Sequence, residues 1–285
     1  MGQYSDPIRP LRSPWTLLTV EGYSLQTRAP ATVTRNTIPA SVFTEFDVPD
    51  TTAQPVRVIG FATLQELLDS SPWYPKLASA VQARVRAEMS QQAVPAGVTL
   101  VHRGDFPHHW FGVISGLLKR SISNADGSAI TYGVESPGSW FGEGTLWRGL
   151  PRSIDVIALR PSIVAMMPRD TFEWLYESEL LFNHFLIQQI NERMFWLGED
   201  WAVHRTLDAD GRVTRALVGL FHPWLRPHRQ LHIELSQEEV ANLAGVSRPR
   251  CNHALKRLQD DGLLKLEYGG LTVLDLVRLR HAAVA

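Results

Sequence analysis

Three features of the sequence predict an α+β fold. Turn residues recur about every ten positions between Pro95 and Met167. A proline-free stretch of about 26 residues with helical spacing follows, and two short helical segments joined through a glycine lie near the C-terminus. The expected architecture is an N-terminal β-roll of jelly-roll type, then a long helix, then a winged helix-turn-helix. At 285 residues the chain is long enough for two modest domains, each with its own core.

Residues 1–62 carry Pro7, Pro10, Pro14, Pro30, Pro39, Pro49 and Pro55 without a sustained helical period. They read as an irregular extension, with short strands expected near 15–20. Helical spacing begins at Thr63, through Leu64, Leu67 and Leu68 and then Leu77, Val81, Val85 and Met89. The break at Pro72 and Pro75 predicts two short helices. After Pro95-Ala96-Gly97, strands are expected at 98–102, 110–114, 117–123, 129–135, 154–159 and 162–167. Asn124-Ala125-Asp126-Gly127 is a hairpin signal, because Gly supplies a positive φ and Asp bonds its own backbone. Ser136-Pro137-Gly138-Ser139 is a second turn, and a glycine-bearing stretch runs from Phe141 to Gly149. The β-roll domain is assigned to 63–178, ending in a brief helix at 169–176.

The long helix is predicted over 179–204. Phe182, Leu186, Ile190, Met194, Leu197 and Trp201 recur at spacings of four, four, four, three and four, which makes one apolar seam. A helix this long outstrips the small β-domain before it. Leu186, Ile190, Met194, Leu197 and Trp201 are therefore candidate dimer contacts, with 179–207 as a dimerisation helix and packing on its own domain as the alternative. Asp208-Ala209-Asp210-Gly211 breaks the pattern and is the expected hinge, leaving 208–285 as a C-terminal domain.

Beyond the hinge a helix is expected at 212–221, stopped by Pro223 and Pro227, followed by a short strand at 230–234. Ser236-Gln237-Glu238-Glu239 is a capping box: Ser bonds orphan N–H groups of the first turn and Glu239 reaches back. That helix runs to Gly245, and Ser247 is the expected N-cap of a second helix beginning near Arg248, with Pro249 tolerated in its first turn. On the second helix Cys251, Ala254, Leu255 and Leu258 share one face. The opposite face presents Pro249, Asn252, His253, Lys256 and Arg257, with Arg248 at the free end. Arg pairs bidentately with guanine, Asn with adenine, and further Lys and Arg with phosphates, so this face suits double-stranded DNA. Ser247 completes the candidate contacts. Gly262-Leu263-Leu264 and the alternating stretch 265–273 supply a wing.

Composition narrows the classes. The chain is 44% hydrophobic and 20% charged with net charge −1, and no apolar run approaches the roughly 20 residues of a membrane span. The N-terminus shows no export signal, so a cytoplasmic protein without a membrane role is expected. Its single cysteine, Cys251, excludes an intrachain disulfide, zinc knuckle or iron–sulfur cluster, and its place on the apolar face marks a small buried hydrophobe. From Thr206 onward there are 11 Lys and Arg against 9 Asp and Glu, a slight excess of positive charge.

Over about three-quarters of the chain, residues 63–272, the sequence resembles the Crp/Fnr family of bacterial regulators. The resemblance rests on Leu235-Ser236-Gln237-Glu238-Glu239-Val240-Ala241 through Gly245-Val246-Ser247-Arg248, and on Phe141-Gly142-Glu143 followed by Arg152-Ser153. It implies an allosteric, homodimeric regulator that binds a two-fold symmetric operator and contacts RNA polymerase. A small effector, with a cyclic nucleotide as the implied class, would be held by a phosphate-binding cassette of Gly142, Glu143, Arg152 and Ser153. Glu143 would accept from a ribose hydroxyl and Arg152 would pair with the phosphate, chemistry that a forked cation beside a glycine loop supports independently. Leu197 and Gly198 stand where cyclic-AMP receptors carry base-reading hydroxyls, and Ile154-Asp155 follow the Arg-Ser pair where a small residue is usual. A cassette in which Arg152 merely pairs with Glu143 is the structural alternative. Arg248 matches the family's guanine-reading arginine, whereas Pro249 and His253 depart from its usual glutamate and arginine, so a different base preference is expected.

Two other classes compete. A haem-based sensor would use His102, His108 or His109 as axial ligand. A jelly-roll metalloenzyme would set histidines and Glu143 around a metal, but adjacent His108 and His109 cannot both face one barrel interior if they lie on a strand. No nucleophile, base and orienting group stand together, and no catalytic activity is expected.

Overall fold

The computed structural model describes residues 60–123, 129–227 and 230–283, all within one compact unit spanning Gln54–Ala285. The expectations for the extension up to residue 59 and for the turn at 124–127 lie outside the described residues. Two short helices lead in, α1 (Leu64–Ser70) and α2 (Ser79–Glu88), separated by a 3₁₀ turn at Tyr74–Lys76 where the proline break was expected. Thr63 starts α1 by accepting a hydrogen bond from the Glu66 N–H, and Leu64, Leu67 and Leu68 turn inward.

Among the described residues eight strands build the roll: β1 (Ser90–Val94), β2 (Thr99–Val101), β3 (His109–Ser115), β4 (Leu118–Ser123), β5 (Ala129–Glu135), β6 (Trp140–Phe141), β7 (Asp155–Ala158) and β8 (Ser162–Pro168). They form two four-stranded antiparallel sheets, in the orders β1-β8-β3-β6 and β2-β7-β4-β5. Strand β1 was not predicted. Its Ser90, Gln91 and Gln92 are exposed and only Val94 is buried, so backbone pairing with β8 at the sheet edge holds it without an apolar alternation.

The two-residue period of β3 separates two cores. Phe111 and Val113 meet the opposing sheet, packing with Leu118, Phe141, Val156 and Val164. Trp110 and Ile114 face the helical layer, among Trp73, Trp140, Phe172, Phe182 and Phe185. Trp110 and Trp140 stack with centroids 4.4 Å apart, a pairing that adds about 0.5–1.5 kcal/mol to the burial of both rings. Gly112 permits it, since a Cβ there would come within 2.8 Å of the Trp140 ring.

The glycine-bearing stretch contains a helix that the sequence reading did not anticipate, α3 (Glu143–Arg148), held between Gly142 at φ 100° and Gly149 at φ 60°. Helix α4 (Arg169–Ser178) precedes the long α5 (Leu180–Thr206). Phe182, Phe185 and Leu186 at the start of α5 are buried in the aromatic core. Leu186 therefore belongs to the chain's own core and not to a dimer seam, because the first two turns of α5 lie against the roll. Farther along, Ile187, Met194, Phe195, Leu197 and Trp201 are exposed.

The break expected at 208–211 falls at Leu207–Asp208, where α5 ends and a new helix starts. The Asp208 carboxylate caps α6 (Ala209–Gly219) by accepting from the Gly211 N–H at 2.9 Å. At the other end of the α5–α6 pair Trp196 packs over Gly219, the last residue of α6, where a Cβ would sit 2.5 Å from the indole, and the Arg215 guanidinium lies 3.6 Å from the indole centroid. After the short β9 (His232–Ile233) come α7 (Gln237–Ala244), α8 (Arg248–Asp260), and the wing strands β10 (Leu264–Glu267) and β11 (Gly270–Val273), paired in the order β10-β11-β9. A last helix, α9 (Leu276–Ala282), was not predicted; it is seven residues long and buries only Leu279.

The C-terminal core is continuous with the roll. Leu117 and Val134 join Leu220, Ile233 and Leu235 in one cluster. Arg226 is buried there, donating to the carbonyls of Val134 (2.8 Å) and Gly219 (2.6 Å), and burial pulls its pKa down to about 10. Among the described residues no helix is long and apolar enough to cross a membrane.

Candidate functional site

A cavity of about 310 Å³ lies between the roll and α5. The four cassette residues Gly142, Glu143, Arg152 and Ser153 share its wall, with Ile190, Met194 and Leu197 of α5 opposite. Arg152 is buried at 7% exposure. Its Nη1 donates to the Gly142 carbonyl and to Thr145 Oγ1, both at 2.8 Å, and its Nη2 donates to the His109 carbonyl at 2.6 Å. Gly142 is required, since a Cβ there would stand 2.7 Å from Nη1 in a backbone conformation that side chains resist. Burial lowers the Arg152 pKa to about 10, with Glu143 and Asp105 opposing the shift, so the group stays cationic at neutral pH. Among the described residues its Nε–H has no acceptor, leaving one edge of the fork uncommitted.

Arg152 does not pair with Glu143, as the structural alternative supposed. Glu143 Oε1 lies 3.4 Å from Arg193 Nε on α5, and Oε2 accepts from the Trp110 indole N–H at 3.3 Å. Arg193 Nη2 also donates to the Trp140 carbonyl at 2.6 Å. Burial disfavours the Arg193 charge, but Glu143 and Glu135 more than offset it and raise its pKa. A third guanidinium, Arg120, lines the cavity and pairs with Glu135 at 3.2 Å. Three arginines facing two carboxylates make the site attractive to an anion, while the α5 side chains supply an apolar wall. Sequence reasoning missed Thr145, Arg120 and Arg193. Arg193 carried one signal: it is a cation beside Met194 of the predicted seam.

The histidines and Glu143 of the metalloenzyme alternative do not form a ligand cluster. Among the described residues no group of three or more His, Cys, Asp or Glu is placed to hold a metal ion. His109 acts through its carbonyl on Arg152, and burial, with His108 and Arg152 nearby, lowers the pKa of its ring.

At the other end of the chain the capping box is complete. Ser236 Oγ accepts from the Glu239 N–H at 3.2 Å, and Glu239 Oε2 accepts from the Ser236 N–H at 2.7 Å. Gly245 ends α7 at φ 62°, and Ser247 is the N-cap residue of α8, although its side chain makes no capping bond. Cys251, Ala254, Leu255 and Leu258 are buried as expected, and burial pushes the Cys251 thiol up to about 11. Arg248, Pro249, His253 and Lys256 are exposed.

Two residues differ from the expected face. Arg257 is not free: at 100° per residue it falls on the flank toward α6, where Nη1 donates to Asp210 Oδ2 at 2.7 Å. Asn252 lies on the other flank, half-buried, with a buried Oδ1 that lacks a partner. Arg250, which the sequence reading passed over, shares the Arg257 flank, 3.7 Å from Asp210 Oδ1. The wing turns at Tyr268, which is fully exposed.

Comparisons with known proteins match both ends of the described chain. The family model described as "Cyclic nucleotide-binding domain" matches residues 91–179, and the "Crp-like helix-turn-helix domain" matches residues 211–282. The chain is 24% identical over 216 residues to the cyclic AMP receptor protein of Thermus thermophilus, covering 76% of this chain and 98% of that one. It is 26% identical over 194 residues to the CRP-like cAMP-activated global transcriptional regulator of Mycobacterium tuberculosis, covering 66% and 86%. In fold it is similar to FixK2 of Bradyrhizobium japonicum, with a TM-score of 0.57 at 14% identity over 68% of this chain and 96% of that one. A cAMP-binding regulatory protein homologue from Silicibacter pomeroyi gives 0.54 at 18% identity over 78% and 98%. A roll with its cassette, a long helix and a capped helix-turn-helix, in this order and matched at both ends, place the chain in the Crp/Fnr family of transcription regulators.

Proposed function

We propose that this regulator binds a two-fold symmetric DNA operator as a homodimer and is controlled by a cyclic nucleotide in the cavity between the roll and α5. The observation that carries the effector reading is Arg152: a buried cation at the wall of a 310 Å³ cavity, with an uncommitted Nε–H. A small anion needs such a donor, and the relatives whose names describe them as cAMP-activated support the class of ligand. Arg152, Ser153 and the backbone at Gly142 would hold the phosphate. Glu143, ordered by Trp110 and Arg193, would accept from a ribose hydroxyl. The fit is less specific at the far wall, where Ile190, Met194 and Leu197 offer contact and no hydrogen bond.

The domain division 63–178, 179–207 and 208–285 follows this reading. Ile190, Met194, Leu197 and Trp201 serve the dimer through the outer half of α5, and Ile190, Met194 and Leu197 also line the cavity, which links effector to assembly. Ser247, Arg248, Pro249, Asn252, His253 and Lys256 face DNA on α8, with RNA polymerase as a further partner. An effector shifts the dimer only as far as its affinity differs between two arrangements of the recognition helices.

The test is a thermal-shift titration with cyclic AMP, cyclic GMP and cyclic di-GMP on wild type, Arg152→Ala and Arg152→Lys. Saturable stabilisation of the wild type that Arg152→Ala abolishes supports the reading. Absence of a shift with all three nucleotides contradicts the effector assignment and leaves the DNA-binding one standing.

A further inference from the structure

Asp210 is a carboxylate that two arginines of another helix approach. It belongs to the first turn of α6, is largely buried at 18% side-chain exposure, and faces the flank of α8. Its Oδ2 accepts from Arg257 Nη1 at 2.7 Å, and its Oδ1 lies 3.7 Å from Arg250 Nη2. The two arginines are themselves 63% and 53% exposed, so their outer edges reach solvent while their inner edges share one anion. Oδ1 is buried and makes no hydrogen bond, which leaves its charge poorly solvated and directed at the arginines. Lys256, next to Arg257 in sequence but on the outer face one turn after Asn252 and His253, has no such partner among the described residues. The other arginine of this helix, Arg248, is 3.9 Å from Glu238 with both side chains 66% exposed, a weak contact.

From this geometry we infer that Asp210 is a built-in competitor of DNA phosphate, setting how strongly the recognition helix holds DNA regardless of sequence. The inference rests on the reading of α8 as the DNA-facing helix. Sequence-independent affinity grows with the number of phosphates that Lys and Arg neutralise, each displacing counterions. Arg250 and Arg257 together would offer two cations to the backbone, but with Asp210 between them the trio carries a net charge of one. A phosphate arriving at this flank must share the arginines with a carboxylate already in place. Arg248 at the helix end, whose weak contact is with Glu238 and not with Asp210, keeps its fork for base edges. Asp210 therefore lowers the background on random DNA without touching a base. Helices α6 and α8 pack against each other in one core, through Val213, Leu217, Cys251 and Leu255, so the carboxylate travels with the helix and acts in every state of the dimer.

The test is fluorescence anisotropy with a random-sequence duplex between about 50 and 200 mM salt. It uses the full chain as wild type, Asp210→Asn, Asp210→Glu, Asp210→Asn with Arg257→Gln, and Lys256→Ala. Asp210→Asn is expected to bind about tenfold more tightly at low salt and to steepen the logarithmic salt dependence by about one unit. Asp210→Glu, which keeps the charge, should retain the wild-type slope, and Arg257→Gln should return the double variant to it. Unchanged or weaker binding by Asp210→Asn, with a melting temperature equal to wild type, overturns the proposal. Lys256→Ala separates the two readings: a flatter slope confirms that α8 faces DNA, whereas no effect removes that premise and the inference with it.

Discussion

Arg160, between β7 and β8, forks onto Glu239 of α7, with Nη1 to Oε1 at 3.0 Å and Nη2 to Oε2 at 2.8 Å. The same carboxylate closes the capping box at Ser236, so one side chain both starts the helix before the recognition helix and fastens it to the roll. Burial disfavours the charge on Glu239, but Arg160 and Ser236 hold its carboxyl below the usual range. The pair is about a quarter exposed and bidentate, which places it above ordinary surface ion pairs. A double-mutant cycle with Arg160→Ala and Glu239→Gln in urea unfolding should give a coupling of about 1–2 kcal/mol at pH 7. Because the folded carboxyl is depressed, that coupling is present above the unfolded value of 4.5 and fades as pH falls through the lower folded one.

His222 predicts a second pH effect. Its Nδ1 accepts from the backbone N–H groups of Trp224 (3.3 Å) and Leu225 (3.1 Å), which requires that nitrogen to be unprotonated. Burial and the nearby Arg226, Arg215 and Arg280 lower its pKa to about 4, so at pH 7 the ring is uncharged and the 3.7 Å approach of Nε2 to Glu192 is not an ion pair. Between about 6.5 and 4 the unfolded chain binds a proton that the folded chain refuses. Stability is thus full above 6.5 and declines by roughly 2–3 kcal/mol as pH falls to 4. Urea midpoints at pH 7 and pH 5 should separate more in wild type than in His222→Gln; equal separations would remove His222 as the cause.

Gly219, at the end of α6, is where the packing of α6 on α5 tolerates no side chain. A Cβ would meet Trp196 Cζ2 at 2.5 Å, and Trp196 is already held by Arg215 on its face. Gly219→Ala should destabilise by about 1–3 kcal/mol despite the gain in helix propensity. Thermal melting checks this, and Gly144→Ala, where a Cβ meets nothing within 4 Å, is the matched control.

Charge on the outer half of α5 should separate the dimer. Met194 and Trp201 are 66% and 65% exposed in the single chain, an apolar face that water disfavours. Met194→Glu with Trp201→Glu is expected to shift sedimentation from dimer to monomer while leaving the fold intact by circular dichroism. Leu186→Glu should instead unfold the roll, because Leu186 is 6% exposed within the aromatic core.

Much of this was legible in the sequence where a local rule acted alone. The capping box, the apolar face of α8 and the strands β3 to β5 follow from spacing and turn chemistry, and the structure places them as the pattern implies. The readings that failed depend on partners distant in sequence. Asp208-Ala209-Asp210-Gly211 does mark the end of α5, but that Asp208 caps the next helix and that α8 holds Asp210 could not be read from the segment itself. Leu186 and Met194 belong to the same seam by period, and only the position of the roll divides them into core and surface. Arg193 reaches Glu143 across 50 residues, and Arg257 reaches Asp210 across 47, relations that no periodicity encodes.

The most direct test of DNA reading by α8 is selection of bound duplexes from a random pool, run with wild type and Arg248→Ala, with and without cyclic AMP. Wild type should enrich an inverted repeat whose half-sites are centred about one helical turn, or 10–10.5 base pairs, apart, and Arg248→Ala should lose preference at a guanine within each half-site while keeping the spacing. Enrichment of no sequence by the wild type under either condition, or an unchanged motif with Arg248→Ala, would contradict it.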